Sequence, residues 1–256
     1  ALFNEMRISA VIIALNEADK MSRCIGSVNW CDEVVVVDSG STDNTAGIAR
    51  ECGAKVFTRE FDDFASQKNY AISRASGEWI FSLDADEVVT PALAAEIQDI
   101  LARGTDKCAF RVNRINNMYG RDLKHFSQPD HNVRFFKKGL CRFVQPVHEY
   151  VECGGEVGTL KNPFLHYSIS DFKEHMQKAE LYTSFELDMM KRKEGYRPAL
   201  YLLRMIVNPP MRFLQNYFVL KGIAEGWTGF IISFNAAIVE GMKYYKCLKW
   251  SLGKRE

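Results

Sequence analysis

Three carboxylates crowd the end of one apolar segment. The stretch Glu78–Glu87 has an apolar run, Trp79–Leu83, followed at once by Asp84, Asp86 and Glu87. An apolar run bounded by polar residues is typical of a central parallel strand, and ligands of open α/β sheets bind beyond the carboxyl ends of such strands. Acids this close repel one another, and a hard divalent cation carrying a phosphate would offset the repulsion. In the alternative interpretation, Asp84 caps a turn and the other two acids face water.

Strands alternate with helices along the first hundred residues. The predicted strands are Arg7–Leu15, Glu33–Val37, Ala54–Thr58 and Trp79–Leu83, and the predicted helices run to about Val28 and over Asn44–Cys52, Phe64–Ala75 and Pro91–Leu101. This alternation predicts a mostly parallel, doubly wound sheet flanked by helices. No G-x-G-x-x-G follows the first strand and no G-x-x-x-x-G-K-[ST] occurs, which argues against the common dinucleotide and P-loop sites.

Polar residues follow the first two predicted strands as well. Asn16 and Glu17 come after the first, and Asp38 ends a run of four valines. The next acid, Asp43, is a natural N-cap for the helix that follows. Further along, His148 and Glu149 stand between strand-like pieces, and His166 lies in an apolar setting.

The last third of the chain is helical and basic. From Lys191 onward there are 12 Lys and Arg against 4 Asp and Glu, a balance of +8, which leaves −7 for residues 1–190. The basic residues stand among Trp, Tyr, Phe and Leu, a pattern that favours a helix lying on an anionic membrane surface. Asn208-Pro209-Pro210 is predicted to break this helical region. No unbroken run of 18–20 apolar residues occurs, so we expect no segment that spans a bilayer. Alternatively, these helices pack on the α/β part of the chain or on a second subunit.

Composition bounds the remaining possibilities. The 256 residues, 47% hydrophobic and 25% charged, indicate an ordinary globular chain. Seven scattered cysteines without a Cys-x-x-Cys pair argue against zinc binding and against a disulfide framework, and they favour a reducing cytosol. Ala1–Arg7 contains no apolar signal region, so no secretion signal is expected. No recognised nucleic-acid motif is present, and nucleic acid is not expected as a partner.

Several of these segments, in this order, resemble a known family. They are Val11–Glu17, Val34–Thr45, Gln67–Asn69, Trp79–Glu87 and His148-Glu149. Together they are similar to the family 2 inverting glycosyltransferases, and within them to the lipopolysaccharide core β-1,4-glucosyltransferases. The resemblance implies an α/β GT-A (Rossmann-like) fold with a catalytic domain over residues 1–168, and a helical, basic-aromatic C-terminal appendage over residues 169–256.

The resemblance also implies site residues. Asn16, Glu17 and Asp38 would line the uridine pocket, and the alternative for Glu17 is an acid in the first turn of a helix, where the helix dipole favours it. Lys68 would touch the pyrophosphate or the base, or else face solvent. Arg134 would steady the diphosphate or an anionic acceptor. Asp43 is interpreted as a helix cap.

A metal site and a base follow from the same resemblance. Asp84 and Asp86 match the D-x-D motif, in which Asp86 would bind Mg²⁺ or Mn²⁺ and Asp84 would contact the ribose or metal-bound water. His166 resembles a late histidine that completes some such sites, and a structural role is the alternative. Glu149 would take the proton of the acceptor hydroxyl, with His148 orienting a substrate or loop. Many members carry Glu-Asp where this chain has His-Glu, and a surface acid is the alternative for Glu149.

The activity that this resemblance implies is metal-dependent transfer of a sugar, glucose from UDP-glucose, onto a lipid-linked glycan such as the lipopolysaccharide inner core. The enzyme would be cytoplasmic and peripheral on the inner face of a bacterial inner membrane. The alternatives are transfer of another UDP-sugar to a polyprenyl-linked or capsule acceptor, and a non-catalytic membrane scaffold of the same fold. A nucleotidyltransferase would need glycine and basic residues at Ala14–Asp19, which has neither.

Overall fold

The computed structural model describes residues 8–145, 149–193 and 197–253, and backbone contacts divide the chain into two units. The first comprises the chain up to Ile115 together with Asp130–Tyr167, and the second comprises Asn116–Pro129 with the chain from Ser168 onward. The predicted catalytic domain, 1–168, included residues 116–129. They group with the C-terminal helices instead because the backbone N–H of Ser127 donates to the carbonyl of Leu220 and the Glu225 carboxylate accepts from the backbone of Phe126.

The chain forms twelve strands and seven α-helices within these described ranges. The strands are β1 (Ile8–Ala14), β2 (Glu33–Asp38), β3 (Lys55–Thr58), β4 (Trp79–Asp84), β5 (Glu87–Val89), β6 (Ala109–Met118), β7 (Arg121–Asp122), β8 (His131–Lys137), β9 (Cys141–Val144), β10 (Tyr150–Cys153), β11 (Val157–Thr159) and β12 (Phe164–Ile169). The helices are α1 (Ala18–Gly26), α2 (Thr45–Glu51), α3 (Phe64–Arg74), α4 (Pro91–Arg103), α5 (Phe172–Lys193), α6 (Pro198–Leu214) and α7 (Gly226–Gly253).

The predicted parallel sheet is confirmed. Strands run in the order β3-β2-β1-β4-β8-β6-β12-β5, and β1 pairs parallel with both β2 and β4. Antiparallel β8 follows β4 and antiparallel β6 follows β8. Because β1, β2 and β4 are parallel neighbours, their carboxyl ends lie at one edge of the sheet, and so do Asn16, Asp38 and Asp84.

Aromatic side chains fill the space beside the middle of this sheet. Trp79 on β4 stacks on Phe135 of β8 with ring centroids 4.6 Å apart, and both are fully buried. Phe81 meets Phe135 edge to face, and Phe110 of β6 lies 6.1 Å from the same ring. Large rings in contact stabilise the junction between the parallel and antiparallel strands, since each buries a large apolar area.

One buried acid braces the amino ends of the strands. The Glu33 carboxylate accepts hydrogen bonds from Ser9 Oγ (2.6 Å), Lys55 Nζ (2.6 Å) and the backbone N–H of Ser76 (2.7 Å). Burial raises the pKa of this carboxyl, but the bonds from Lys55, Ser76 and Ser9 outweigh burial and lower the pKa from 4.5 to about 2. Glu33 therefore stabilises the fold as an anion.

We expect Glu33→Gln to lower the free energy of unfolding at pH 7 by at most about 3 kcal/mol, at ~1.4 kcal/mol for each pKa unit. A depressed pKa gives stability that is complete above the unfolded value of 4.5 and is lost as the pH falls through 2. Most of the difference in the free energy of unfolding between variant and wild type should thus vanish by about pH 2.5. Urea unfolding at pH 7 and at about pH 2.5 measures this difference, and Glu60→Gln, which changes an exposed acid, is the control. A difference in stability that does not depend on pH would contradict the stabilising role of the Glu33 anion.

The second unit packs three long helices together with the segment Asn116–Pro129. Tyr119 OH hydrogen-bonds His175 of α5 and accepts from Asn235 Nδ2 of α7 at 2.7 Å. Lys246 of α7 donates to Glu180 of α5 at 2.6 Å. Polar bonds of this kind fix the segment and two helices within the unit.

The predicted helix break at Asn208-Pro209-Pro210 is wrong. α6 continues through both prolines to Leu214 and ends in a π-helical turn, Gln215–Val219. Proline removes backbone N–H donors and normally kinks or ends a helix. Here α6 packs along α7, where Asn208 Nδ2 donates to Tyr244 OH at 3.0 Å and Gly241 lies beside Pro209. This tertiary packing outweighs the tendency of the two prolines to end the helix.

The expectation that no segment could span a bilayer also needs correction. Among the described residues, Gly222–Gly253 is long and apolar enough to do so by length and composition, with a mean hydropathy of 1.3 and 33% of its most apolar window buried. Small and polar residues, together with Glu225, Glu240, Lys243, Lys246 and Lys249, interrupt the apolar runs of this segment. The segment is therefore apolar on average although it contains no unbroken apolar run of bilayer length.

Candidate functional site

The turn between β4 and β5 carries the three acids. β4 ends at Asp84 and β5 begins at Glu87. The backbone N–H of Asp84 donates to Glu87 Oε2 at 2.9 Å, so the Glu87 side chain closes the turn. Asp86 stands at the middle of the turn and remains partly exposed. The alternative of acids facing water is thus wrong for Glu87, which is fully buried.

His166 lies against Asp86. β12 pairs antiparallel with β5 and sets His166 opposite Glu87. The backbone N–H of Tyr167 donates to the carbonyl of Asp86 at 2.9 Å, and His166 Nε2 lies 3.1 Å from Asp86 Oδ2. The fold therefore brings together the two predicted metal ligands, which are 80 residues apart in sequence.

Alternating basic and acidic side chains connect this turn to Glu149 within the first unit. Arg134 of β8 donates to Glu87 Oε1 at 2.6 Å and to Asp84 Oδ2 at 3.2 Å. Lys68 of α3 contacts Asp84 Oδ1 at 3.0 Å and Glu149 Oε1 at 2.9 Å. The side chains of Lys68 and Arg134 are only 3% and 7% exposed, so both cations depend on these acids for compensation.

The same contacts set the protonation of the acids. Burial raises the pKa of Asp84, but the charges of Lys68 and Arg134 outweigh it and hold that pKa well below its usual range. Burial raises the pKa of Glu87 to about 7, opposed by Arg134 and reinforced by Asp84. Asp84 is therefore firmly ionised.

A cavity of about 390 Å³ opens beside this network. It is lined by Lys68, Asp84, Arg111, Arg114, His131, Asn132, Val133, Arg134, Phe143, Glu149, Tyr150 and Val151. Four basic side chains and two acids line the cavity, and two of the basic side chains, Arg114 and Arg134, also pair with Asp130 and Glu87. The basic groups supply the N–H donors that an anionic group such as a diphosphate would need.

Another cavity, of about 600 Å³, lies at the opposite edge of the sheet beside Glu33. Its buried acid is already bonded to Ser9, Lys55 and Ser76. Ligands of open parallel sheets bind at the carboxyl ends of the strands, which favours the cavity beside Asp84.

Asn16 and Asp38 organise the loop after β2. Asn16 adopts φ 54°, and its Oδ1 accepts from the backbone N–H of Thr42 at 2.8 Å. Asp38 is buried and accepts from the backbone N–H groups of Gly40 (3.2 Å) and Ser41 (3.1 Å). Asn16 and Asp38, both predicted to contact the nucleotide, thus lie at the edge formed by the carboxyl ends of the parallel strands and shape the loop after β2.

Glu17 and Asp43 lie at the starts of the first two helices. Glu17 pairs with Lys20 at 2.8 Å, as a first-turn helix acid would. Asp43 accepts from the backbone N–H groups of Thr45 (3.0 Å) and Ala18 (3.2 Å), so it braces the starts of both α2 and α1. The helix itself begins at Thr45, one residue later than predicted.

Two features of the site were not predicted from the sequence. Lys68 is buried, whereas a solvent-facing position had been one alternative, and Glu87 has a partner, Arg134, that the sequence did not indicate. A signal existed in α3, where Ala65, Lys68 and Ile72 share one face at spacings of three and four, so the lysine lies on the apolar face. His148, predicted to orient a substrate or loop, lies outside the described residues.

Comparison with known proteins supports a single family. The model of Glycosyl transferase family 2 matches residues 9–165. The lipopolysaccharide core biosynthesis glycosyltransferase LpsC of Rhizobium meliloti (strain 1021) is 31% identical over 249 residues, which is 91% of each chain. An uncharacterized glycosyltransferase of Rickettsia felis (strain ATCC VR-1525 / URRWXCal2) is 30% identical over 94% of this chain and 89% of its own.

Among solved structures, glucosyl-3-phosphoglycerate synthase from Mycobacterium tuberculosis, in complex with Mn²⁺, uridine diphosphate and glucosyl-3-phosphoglycerate, is similar to part of the chain. The identity is 26% over 43% of this chain and 44% of that one, with a TM-score of 0.38. The match with that enzyme thus spans less than half of its length. The family model covers most of the chain, and the relatives align over nearly their whole length. The protein is therefore a glycosyltransferase, and it belongs to glycosyl transferase family 2.

Proposed function

We propose that this glycosyltransferase is metal dependent and inverting, and that it transfers glucose from UDP-glucose onto a hydroxyl of a lipid-linked glycan such as the lipopolysaccharide inner core. The observation that carries the proposal is that Asp86, His166, Lys68, Asp84 and Glu149 meet within one unit beside a cavity lined by four basic side chains. The lipopolysaccharide core acceptor is taken from the name of the Rhizobium relative.

Asp86 and His166 would hold the metal. Two neighbouring ligands of an octahedral Mg²⁺ lie about 2.9 Å apart, given bonds of 2.0–2.1 Å, and the observed separation of 3.1 Å fits this. Mg²⁺ is commonly bound by one or two carboxylates together with substrate phosphates, whereas the imidazole favours Mn²⁺. The bound ion would supply Lewis acidity that neutralises the leaving nucleoside diphosphate.

The other residues bind and orient the donor. Lys68 and Arg134 fix Asp84 from two sides, so that its carboxylate is held rigidly for a ribose hydroxyl or for metal-bound water. Lys68 and Arg134 also carry N–H donors beside the cavity, and in this proposal they contact the diphosphate of the nucleotide sugar. Asn16 and Glu17 follow β1 and Asp38 ends β2, at the edge of the sheet where the nucleoside would lie.

Glu149 would act as the general base. An inverting transfer needs one group to accept the proton of the acceptor hydroxyl while its oxygen attacks the anomeric carbon. Lys68 contacts Glu149 Oε1 at 2.9 Å and so orients the carboxylate on the cavity wall. His148, next to it in sequence, remains the predicted orienting residue.

A donor and acceptor screen tests this function. Purified protein is incubated with a panel of UDP-sugars, with Mn²⁺, Mg²⁺ or EDTA, and with lipid-linked acceptors; donor consumption and product anomer are measured. We expect UDP-glucose to be consumed only with metal and the product to be β-linked. Activity that persists in EDTA would exclude the metal, an α-linked product would exclude inversion, and inert donors throughout would favour a scaffold. Preference for another UDP-sugar or for a capsule acceptor would change the substrate but retain the reaction.

The second unit presents an apolar surface suited to a membrane. α6 exposes side chains at helical spacing, namely Leu202, Leu203, Ile206, Val207, Met211 and Leu214. Exposed patches of this extent mark interaction sites. The positive charge is smaller than the composition indicates, because Arg212 and Lys243 pair with Glu240 and Lys246 pairs with Glu180. The location we propose, peripheral on the cytoplasmic face of a bacterial inner membrane, therefore depends more on apolar contact than on charge.

We expect the full chain to float with liposomes that contain anionic lipid, and the double variant Ile206→Glu with Met211→Glu to bind at least about tenfold more weakly, since each buried apolar side chain contributes about 1.5–3 kcal/mol. Raising the salt concentration should weaken binding only partly. Leu140→Glu, which alters an exposed leucine of the first unit, is the control. If the wild-type chain stays with the soluble fraction at low salt, this surface contacts protein instead.

A further inference from the structure

Three cysteines that are far apart in sequence converge in the first unit. The Sγ atoms of Cys108, Cys141 and Cys153 all lie within 4.8 Å of one another. Cys108 and Cys141 are buried and Cys153 is half-buried. None of the three belongs to the cavity beside Asp84.

The backbone builds this cluster. Cys141 begins β9 and Cys153 ends β10, and the two face each other directly in the antiparallel hairpin. Cys108 is held beside them, because its N–H donates to the carbonyl of Glu156 at 2.9 Å and its carbonyl accepts from Lys137 at 2.8 Å. A side chain at Gly155 would lie 3.1 Å from the Cys108 sulfur, so glycine leaves room for the thiol.

We propose that Cys108, Cys141 and Cys153 form a binding site for a thiophilic metal ion, with Zn²⁺ as the best fit. Zinc–sulfur bonds of about 2.3 Å place the sulfurs of a zinc site roughly 3.8–4.0 Å apart, so a contraction of at most about 1 Å closes the site. Binding converts three thiols to thiolates and releases their protons. The fourth position falls to water, at a cavity of about 350 Å³ lined in part by Cys141 and Cys153.

Such an ion would fasten the hairpin that carries Glu149. The β9–β10 connection spans residues 145–149, so the cysteines bind at the base of the hairpin and Glu149 lies at its other end. Asn69 of α3 already holds the hairpin through two bonds to the Phe143 backbone, at 2.8 and 3.0 Å. The metal would add a second fixed point, and its role would be structural.

Titration with Co²⁺ tests the site. The full chain is reduced, freed of metal with EDTA, and titrated with Co²⁺ under anaerobic conditions. We expect a thiolate-to-cobalt charge-transfer band that saturates at one equivalent, is removed by Zn²⁺ and is unaffected by Mg²⁺. Oxygen and nitrogen ligands cannot produce this band, so binding at Asp86 and His166 does not interfere. The absence of the band in reduced, folded protein would overturn the proposal.

Variants identify the ligands. Cys153→Ser and Cys108→Ser should each weaken Zn²⁺ binding, measured by competition with a chromophoric chelator, by more than the ~10–100-fold typical of residues that only support a ligand. Cys52→Ser, an exposed cysteine outside the cluster, should leave the affinity unchanged. Should the buried Cys108→Ser variant fail to fold, the wild-type titration and Cys153→Ser decide the question. A charge-transfer band that persists unchanged in Cys153→Ser would exclude the site.

Discussion

Replacing Asp86 with alanine is expected to abolish the metal-dependent binding of UDP and to lower kcat/KM for sugar transfer by roughly 10³-fold or more, since a bound metal stabilises the transition state by several kcal/mol. The variant loses one of the two side chains proposed to hold the ion. The fold should persist, because the hydrogen bond from Tyr167 reaches the backbone carbonyl of Asp86, which alanine retains. Calorimetric titration of UDP with Mn²⁺ present measures the loss.

Asp106→Ala is the matched control for this variant. It removes an acid that is 81% exposed and belongs to the same unit, so binding and turnover should be unchanged. His166→Ala should weaken binding in the same metal-dependent manner, since the imidazole lies 3.1 Å from the Asp86 carboxylate. Unaltered affinity for UDP with Mn²⁺ in Asp86→Ala would rule out this metal site.

Glu149→Gln is expected to bind the donor normally and to lower kcat by roughly 10²–10⁴, the usual contribution of general acid–base catalysis. Glutamine keeps the size of the side chain and an oxygen for Lys68, but its amide cannot take the proton of the acceptor hydroxyl. Single-turnover transfer and donor titration separate the two effects.

The control for Glu149→Gln is Glu152→Gln, the same change on β10. Glu152 pairs with Arg142 at 3.0 Å on the surface, so turnover should not change. If Glu149→Gln retains wild-type turnover, the base lies elsewhere. Asp130, which Arg114 contacts at 2.7 Å, would be tested next, and Asp122 after it.

Local sequence patterns located the four strands β1 to β4, which form the parallel part of the sheet. The valine run of β2 and the apolar run of β4 are short, β-branched or aromatic, and each ends in an acid. Runs of this kind need burial on both faces, and only a sheet covered by helices provides it. The strand type, the parallel arrangement of these strands and the edge that carries Asp38 and Asp84 could therefore be predicted from local pattern.

The partners of the site residues could not be predicted in this way. Lys68 and Glu149 are 81 residues apart, and Arg134 reaches Glu87 across 47. A charged residue in a helix or strand has the same local sequence whether it faces water or an acid. The tertiary structure buries Lys68 and Arg134, and a buried cation needs an acidic partner to offset its charge.

The sequence by itself therefore determined the four parallel strands, the acids at their ends and the family, since these follow from patterns along the chain. Only the tertiary structure decided which charges pair, that α6 continues through two prolines, and that Cys108, Cys141 and Cys153 meet. Each of the latter depends on contacts between segments distant in sequence. These features are stabilised by packing and by charge pairing between distant segments, and local sequence propensities carry no information about such contacts.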